Sequence, residues 1–236
     1  MKNFKKLDLV FLCGGKGTRI KKIAKGTPKS LLLLKKNFKI LDLLLKGIKK
    51  DRLKSIYLSI NRKNRKIFEN YKQEKRYLKL IIEKQYLGTG GALKYAIKKN
   101  NLSNPFFVIN GDTFSKASKN LHSFLKFANY KNSVIGISKI KKNNRYGSIK
   151  FFKNKIIDFS EKRGKEPWIN NGHYLFYKEN FKLVKKNIFS LEKELLPILV
   201  SLRKLNCKKF DNDKFVDIGT VVAFNKFRKN YYNDKN

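Results

Sequence analysis

The chain is poor in cysteine, histidine and acidic residues. Only Cys13 and Cys207 occur among 236 residues, and neither has the spacing of a metal site or of a CxxC pair. The sequence therefore indicates a protein of the reducing cytoplasm without a disulfide framework. Of the two histidines, we expect His173 to pack within a strand rather than to act as a base, and we assign no role to His122.

Long apolar runs are absent as well. No run reaches the ~18 residues that a membrane span requires, and the longest candidates, at 30–34 and 41–45, are short. The N-terminal run at 7–13 is interrupted by Asp8 and has no small-residue cleavage site, so it predicts a buried strand rather than a signal peptide. We expect a soluble protein with no membrane partner.

Acidic residues number 17 against 57 lysines and arginines, which gives a formal net charge of +40. Such a surface attracts anions, including nucleotides and nucleic acid. The basic residues are mostly lysines spread along the whole chain, however, whereas base-reading proteins favour arginine and stacking surfaces need aromatic residues beside the charge. We expect small anionic substrates and no specific nucleic acid.

The composition is otherwise that of a packed globular protein, with 41% hydrophobic and 13% aromatic residues. A chain of this length buries a full core within one domain. We predict a single domain over residues 1–228 and a polar C-terminal tail over 229–236.

Strand-like and helix-like segments alternate through the first half of the chain. This order predicts βαβ units, and hence an α/β fold with a Rossmann-like, mixed but mainly parallel sheet that has helices on both faces. The predicted strands are 7–13, 55–60, 78–83, 105–109, 133–137 and 172–177, and the predicted helices are 40–50, 63–71, 91–99 and 121–128.

The pattern changes after residue 139. Residues 146–152 and 155–159 predict a short antiparallel hairpin, which would extend the sheet on one side. Residues 189–205 predict a helix interrupted at Pro197. A last strand at 214–218 and a terminal helix follow.

A glycine-rich segment, Gly14-Gly15-Lys16-Gly17-Thr18-Arg19, follows the first predicted strand directly. Glycines let backbone N–H groups approach a phosphate closely. The spacing is neither G-x-G-x-x-G nor that of a P-loop. Arg19 and, shortly afterwards, Lys29 supply two cations that could neutralise a triphosphate, which favours a phosphate site over a structural turn.

Two aspartates, Asp112 and Asp217, each end a predicted strand. Carboxyl ends of strands form the ligand-binding edge of such a sheet, and two carboxylates can hold one Mg²⁺ together with phosphate oxygens and water. The alternative role of an aspartate after a strand is that of a helix cap or turn former.

These motifs resemble those of the sugar-phosphate nucleotidyltransferase family, which carries G-G-x-G-T-R followed by P-K. The resemblance implies that Arg19 meets the β and γ phosphates, that Lys29 lies near the reacting phosphates, and that Asp112 and Asp217 bind Mg²⁺. It also implies a nucleotide-binding set made of Leu12, Gly14, Gly15, Gly17, Thr18, Glu83, Leu87, Gly88, Thr89 and Gly111.

The segment from Glu83 to Ala92 resembles the family's E-x-x-P-L-G-T-G-G-A, with Tyr86 in place of the usual proline. Glu83 stands where relatives that use thymidine or uridine nucleotides often have glutamine, and a carboxylate can accept from both N1–H and the 2-amino group of guanine. The residue therefore favours GTP over UTP, the alternative being a solvated strand end.

Further motifs resemble the family's sugar-side elements R-Y-G, F-x-E-K and N-G-G or N-A-G. They imply that the sugar and its phosphate are bound by Tyr146, Gly147, Glu161, Lys162 and Asn170, with Lys162 also neutralising charge in the reaction. Asn171, Gly172 and His173 depart from the last motif, so the acceptor pocket could differ from that of relatives.

The resemblance covers residues 7–220 and is nearest to short bacterial D-glycero-α-D-manno-heptose 1-phosphate guanylyltransferases. It implies a monomeric or homodimeric enzyme that joins a sugar 1-phosphate to GTP and supplies a precursor of lipopolysaccharide, capsule or S-layer glycan. Two alternatives remain open: a relative that uses UTP or CTP with a hexose or amino-sugar 1-phosphate or phosphocholine, and a catalytically degenerate polyanion-binding protein. Retention of both aspartates and both phosphate cations argues against the second.

Overall fold

A nine-stranded mixed sheet forms the centre of the molecule. The computed structural model describes residues 6–128, 132–140, 143, 146–160, 166–210 and 215–233. Its strands are β1 (Leu7–Leu12), β2 (Leu33–Lys35), β3 (Phe38–Lys39), β4 (Leu53–Asn61), β5 (Leu78–Glu83), β6 (Phe106–Asn110), β7 (Thr113–Phe114), β8 (Ser133–Lys139), β9 (Ser148–Phe152), β10 (Lys155–Ser160), β11 (Trp168–Phe176), β12 (Leu205–Phe210) and β13 (Val216–Asp217).

Six α-helices connect or flank the strands. They are α1 (Lys21–Ala24), α2 (Ile40–Lys46), α3 (Arg65–Gln73), α4 (Gly88–Asn100), α5 (Leu196–Ser201) and α6 (Val221–Asn233) within the described part of the chain. Helix α2 begins where the Asp42 carboxylate accepts from the backbone N–H of Lys39 at 2.7 Å, an N-terminal cap of the usual kind.

The large sheet has the strand order β5-β4-β1-β6-β11-β8-β12-β10-β9. Strands β5, β4, β1 and β6 are parallel, and so are β8 and β12. Strand β11 runs against both of its neighbours β6 and β8, and β10 runs against β9 and β12. The prediction of a mixed sheet with an antiparallel hairpin is confirmed, with its parallel strands concentrated in the β5-β4-β1-β6 half.

Helices cover both faces of this sheet. Alternate residues of β1 point to opposite faces, so Phe11 belongs to one hydrophobic cluster and Val10 to the other. The first cluster takes side chains from α2, α3 and α6, including Phe68 and Phe224. The second takes side chains from α4 and α5, including Leu93. The central strand is therefore buried on both sides, as its continuous apolar sequence predicts.

The predicted helix at 189–205 ends earlier than expected, at Ser201. A π-helical turn at Leu191–Leu195 leads into α5, where Pro197 lies in the first turn, a position at which its missing N–H costs nothing. Arg203 takes a left-handed conformation (φ 55°) and ends the helical segment. The chain then enters β12, a buried strand parallel to β8 that the sequence did not predict.

The predicted helix at 121–128 also differs. Residues Lys116–Phe127 form 3₁₀ turns that are broken at Asn120 (φ −130°). Ser115 caps the first turn by accepting from Ala117 N at 3.0 Å, and short polar side chains that bond locally compete with regular helix formation.

The last helix extends into the residues of the predicted polar tail. Helix α6 continues to Asn233, and Tyr231 stacks on Phe38 with ring centroids 5.9 Å apart. The side chain of Arg228 donates to the carbonyl oxygen of Leu34 at 3.2 Å. An aromatic contact and a hydrogen bond to the β2–β3 hairpin therefore keep this part of the chain on the domain.

Candidate active site

A cleft opens beyond the carboxyl ends of β1 and β6, the edge at which parallel sheets bind ligands. The backbone N–H of Gly111, just after β6, donates to the carbonyl oxygen of Leu12 at 3.0 Å, which holds the two strand ends side by side. Two cavities of about 310 and 140 Å³ meet here and share Leu12, Gly15, Tyr86 and Asp112 in their walls.

The glycine loop forms one wall of this cleft. Gly17 has the left-handed φ of 61° that precedes the 3₁₀ turn Thr18–Ile20, a conformation that glycine adopts without strain. A Cβ built on Gly14 would lie 2.8 Å from Oε1 of Glu83. Glycine at position 14 therefore allows the loop to pass directly over the Glu83 carboxylate.

Most of the predicted site residues meet in the two cavities. All the predicted nucleotide-binding residues except Leu87 line one or both of them, and so do Arg19, Lys29 and Asp112. Leu87 is buried, and its carbonyl oxygen accepts from Phe189 N at 3.0 Å. The sequence-predicted nucleotide and phosphate residues are thus assembled at one place.

Asp112 and Asp217 come together through a second, two-stranded sheet. Strands β7 and β13 pair antiparallel, with Asp217 opposite Thr113, and Ile218 N donates to the carbonyl oxygen of Asp112 at 2.9 Å. The Asp112 carboxylate forms an ion pair with the Lys29 ammonium group. This ladder brings the backbones of Asp112 and Asp217 together from distant parts of the chain; Asp112 lines both cavities, whereas Asp217 lines neither of them.

The carboxylates of Asp112 and Asp217 are of the type that binds Mg²⁺, but they are too few to hold a metal ion without water or substrate. Among the described residues no group of three or more histidine, cysteine, aspartate or glutamate side chains could hold a metal ion. Mg²⁺ usually takes one or two carboxylates and completes its shell with water and substrate phosphates. Asp112 and Asp217 match that pattern.

Glu83 is buried at the end of β5, with 3% of its surface exposed. Burial raises the pKa of its carboxyl group above the ordinary value, although hydrogen bonds from the Ser59 hydroxyl and the Leu87 backbone oppose the shift. Glu83 lines the smaller cavity together with Gly14, Thr89 and Ala92. A partly desolvated carboxylate in this place can accept hydrogen bonds from a base.

The loop that begins α4 is held from behind by the backbone of Phe189. The carbonyl oxygen of Phe189 accepts from Gly90 N at 3.0 Å and from Gly91 N at 3.2 Å. Gly88 has a φ of 74°, and a Cβ there would lie 2.4 Å from that same carbonyl oxygen. Glycine at position 88 is therefore required by close backbone contact.

The predicted sugar-binding residues are only partly described. Asn170 donates from Nδ2 to the Tyr174 hydroxyl at 2.8 Å, and its Oδ1 accepts from Gly172 N at 3.0 Å. The ring of Tyr146 contacts that of Phe215 edge-on at 5.3 Å. Gly147 directly precedes β9. Glu161 and Lys162 lie outside the described residues, so their roles stay predictions.

Three residues near the cleft were not predicted. Asn110 lines the smaller cavity, and a Cβ at Gly172 would lie 3.0 Å from its Nδ2. Glu192 accepts from the Thr89 hydroxyl at 2.9 Å, which joins the π-helical turn to the nucleotide loop. Tyr174 is fully buried, and burial raises its pKa. Asn110 was visible as the residue before Gly-Asp, whereas no local pattern marks the other two.

His173 is part of the core. It is fully buried, with Nδ1 2.9 Å from the carbonyl oxygen of Asn171 and Nε2 2.7 Å from the Ser118 hydroxyl. A carbonyl oxygen only accepts, so Nδ1 donates to Asn171, and Nε2 shares a hydrogen bond with the Ser118 hydroxyl. The prediction of a packed strand residue agrees with this environment. His122 contacts the Phe107 ring edge-on.

None of the helices in the described part of the chain is both long and apolar enough to cross a bilayer.

Over residues 9–234 the sequence matches the nucleotidyl transferase family. It is 33% identical over 228 residues to D-glycero-α-D-manno-heptose 1-phosphate guanylyltransferase of Campylobacter jejuni, a match covering 94% of this chain and 98% of that relative. It is 31% identical to mannose-1-phosphate guanyltransferase of Saccharomyces cerevisiae, covering 91% and 62% of the two chains.

Solved structures give the same result. The chain superposes with a TM-score of 0.80 on HddC from Yersinia pseudotuberculosis, at 26% identity and with 95% of this chain and 99% of that chain covered. The complex of HddC with GMP-PN gives a TM-score of 0.77 at 27% identity, with the same shares of both chains covered. The chain therefore belongs to the nucleotidyl transferase family and, within it, to the sugar-1-phosphate nucleotidyltransferases.

Proposed function

We propose that the protein transfers a guanylyl group from GTP to D-glycero-α-D-manno-heptose 1-phosphate. A phosphate oxygen of the sugar 1-phosphate attacks the α-phosphorus of GTP. The new P–O bond forms as the bond to the β-phosphate bridging oxygen breaks, so the products are GDP-heptose and pyrophosphate. The attacking phosphate is already ionised at neutral pH, and the reaction therefore needs no general base.

The observation that carries the choice of GTP is the position of Glu83. Glu83 forms part of the wall of the smaller cavity, whereas Lys16, Arg19 and Lys29 line the larger one next to it. A base in the smaller cavity would present N1–H and a 2-amino group to an acceptor, and its triphosphate would extend towards the cations. Both sequence relatives described above are guanylyltransferases or guanyltransferases by name, which supports the same base.

We assign Mg²⁺ to Asp112 and Asp217. When bound, the ion would neutralise phosphate charge and help to orient the triphosphate. Lys29, which pairs with Asp112, would exchange part of that contact for a phosphate oxygen. Arg19 would bind the β and γ phosphates and stabilise the charge on the pyrophosphate leaving group. Catalysis would then rest on positioning and charge neutralisation.

The acceptor is assigned to the side of the cleft beyond β11. Support for heptose 1-phosphate comes from the Campylobacter relative, which matches over nearly all of both chains. We assign the sugar hydroxyls to Glu161 and Asn170, the sugar phosphate to Lys162, and supporting contacts to Tyr146 and Gly147. We also place the reaction in the cytoplasm, where the free, buried thiols of Cys13 and Cys207 would remain reduced.

Pyrophosphate release tests this proposal. The purified protein is incubated with Mg²⁺ and each of GTP, ATP, UTP, CTP and dTTP against a panel of sugar 1-phosphates that includes the manno-heptose. We expect release with GTP and heptose 1-phosphate, and none from the Asp112→Asn variant. Release with UTP or CTP and another acceptor would keep the reaction and replace the substrates. No release with any pair would favour a degenerate polyanion-binding protein.

A further inference from the structure

Tyr86 presents an aromatic ring to the nucleotide cleft. The residue is 43% exposed and lines both cavities, the one that contains Glu83 and the one that contains the phosphate cations. It stands between Glu83 and the Leu87–Gly88 turn, at the position where the family usually has proline. The chain has therefore placed a flat, accessible π surface where the two parts of the cleft meet.

The backbone next to this ring is fixed. Residues 87–91 are tied to Phe189 by three backbone hydrogen bonds, at Leu87, Gly90 and Gly91. The carboxylate of Glu83, three residues before Tyr86, is held by Ser59 at 2.9 Å. The ring is thus attached to a stable support, and a ligand that stacks on it would not have to order the loop first.

One face of the ring is covered by a lysine from the opposite wall. The Lys16 ammonium lies 4.7 Å from the ring centroid, within the range of a cation–π contact. Lys16 is exposed and sits between Gly15 and Gly17 in the glycine loop. A single exposed cation–π contact is weak, so a nucleobase, with its larger flat surface, can displace it.

We propose that Tyr86 is a stacking platform for the nucleobase and that Lys16 covers this platform until the nucleotide binds. On binding, the base takes the place of the ammonium group on the ring, and Lys16 turns towards the triphosphate within the same cavity. The inference rests on the proposed function for the identity of the ligand as a nucleoside triphosphate. It adds a residue that determines nucleotide affinity and favours purines, since stacking grows with the area of the base.

Equilibrium binding tests the platform without turnover. Dissociation constants for GTP, UTP and inorganic tripolyphosphate are measured by calorimetry with Mg²⁺ and without sugar phosphate, for wild type, Tyr86→Phe and Tyr86→Leu. We expect Tyr86→Leu to raise the dissociation constant for GTP about tenfold and that for UTP by less. The dissociation constant for tripolyphosphate should not change, because tripolyphosphate has no base. Tyr86→Phe should bind GTP within about twofold of wild type, because it keeps the ring.

Tyr77 provides the matched control. It is 42% exposed and carries Lys50 at 4.3 Å from its ring centroid, but it lies outside both cavities of the cleft as the described residues define them. Tyr77→Leu should leave all three constants unchanged. Two outcomes would overturn the platform and leave the proposed reaction standing. One is an equal dissociation constant for GTP in wild type and Tyr86→Leu. The other is a loss of affinity for tripolyphosphate in Tyr86→Leu as large as its loss of affinity for GTP. A wild-type protein that binds none of the nucleotides would overturn both.

The role of Lys16 has its own measurement. Guanosine, which has a base and no phosphate, is titrated into wild type and Lys16→Met. If Lys16 competes for the ring, the variant binds guanosine at least as tightly as wild type and binds GTP more weakly. Weaker binding of guanosine by Lys16→Met would overturn the covering role.

Discussion

The hydroxyl of Ser59 donates a 2.9 Å hydrogen bond to Oε1 of Glu83 across neighbouring parallel strands. The bond fixes one carboxylate oxygen beneath the glycine loop, 2.8 Å from the place where a Cβ of residue 14 would stand. Glu83 is therefore buried, oriented and close to the cleft at the same time. Its ionisation state therefore links its proposed role in base recognition to pH and to stability.

Glu83→Gln should reduce the preference for GTP. An amide presents one acceptor and one donor group, so it cannot accept from both N1–H and the 2-amino group of guanine. We expect the GTP/UTP ratio of kcat/KM to fall by about tenfold or more. Pyrophosphate release with both nucleotides measures the ratio, and an unchanged ratio would remove Glu83 as the base-reading residue.

Glu83 should also make stability depend on pH. Its pKa is raised in the folded state, so its protonated form favours folding below the unfolded pKa, and this contribution is lost as pH rises through the folded pKa. The Glu83→Gln variant has no ionisable group at this position, so its free energy of unfolding does not contain this pH-dependent loss. Thermal unfolding from pH 4 to 8 should show the Tm of Glu83→Gln rising relative to wild type with pH. A difference that is constant or falls with pH would contradict the assignment.

Asp112→Asn should lower kcat by more than about a hundredfold. The amide keeps the size of the side chain but removes the charge that would bind Mg²⁺. The variant should retain the far-UV circular dichroism of wild type. Asp158→Asn is the matched control, because Asp158 is an exposed strand residue of the β9–β10 hairpin. Wild-type rates in Asp112→Asn would reject the metal assignment.

Mg²⁺ should stabilise Lys29→Met more than it stabilises wild type. Lys29 pairs with Asp112, so removal of Mg²⁺ by EDTA should stop turnover with little change in Tm. Without the lysine, the Asp112 carboxylate lacks its ion-pair partner until a cation binds. Thermal unfolding with and without Mg²⁺ should show a shift larger by about 2 °C or more in the variant. Equal shifts would argue against a shared role of Lys29 and Mg²⁺ at Asp112.

Gly88→Ala should destabilise the protein, and Gly15→Ala should not. Gly88 has a φ of 74° and no room for a Cβ, whereas a Cβ on Gly15 would meet nothing within 4 Å. A left-handed alanine with a backbone clash costs about 2 kcal/mol or more, which lowers Tm by at least about 4 °C in a domain of this size. Similar Tm values for the two variants would show that the Phe189 contact adapts to a side chain.

Much of the fold and of the nucleotide site could be predicted from sequence because each depends on local signals. Strand β1 reads as a continuous apolar run because it is buried on both faces, and Asp112 and Asp217 were marked by the strands that they end. Strand β12 was missed because Lys208 and Lys209 interrupt an apolar run that is short from the start. Its first three residues, Leu205 to Cys207, are nevertheless buried against β8.

Contacts between distant parts of the chain could not be predicted in the same way. The resemblance marked Tyr86 as a departure, but only the fold shows Lys16 over its ring. Glu192 lies in a segment without a motif and reaches the nucleotide loop only because the π-helical turn packs against Thr89. Such pairs depend on how elements pack together, and no periodicity within one element records them.

The ladder between β7 and β13 also sets the order in which the parts of the candidate site are synthesised. Strand β13 is the last strand in the described part of the chain, and synthesis proceeds from the N-terminus. The glycine loop and the Glu83 wall can form early in synthesis, but Asp217 arrives only after the whole large sheet has been translated. Under the proposed function, the segments assigned to the nucleotide are therefore synthesised well before the second carboxylate assigned to Mg²⁺.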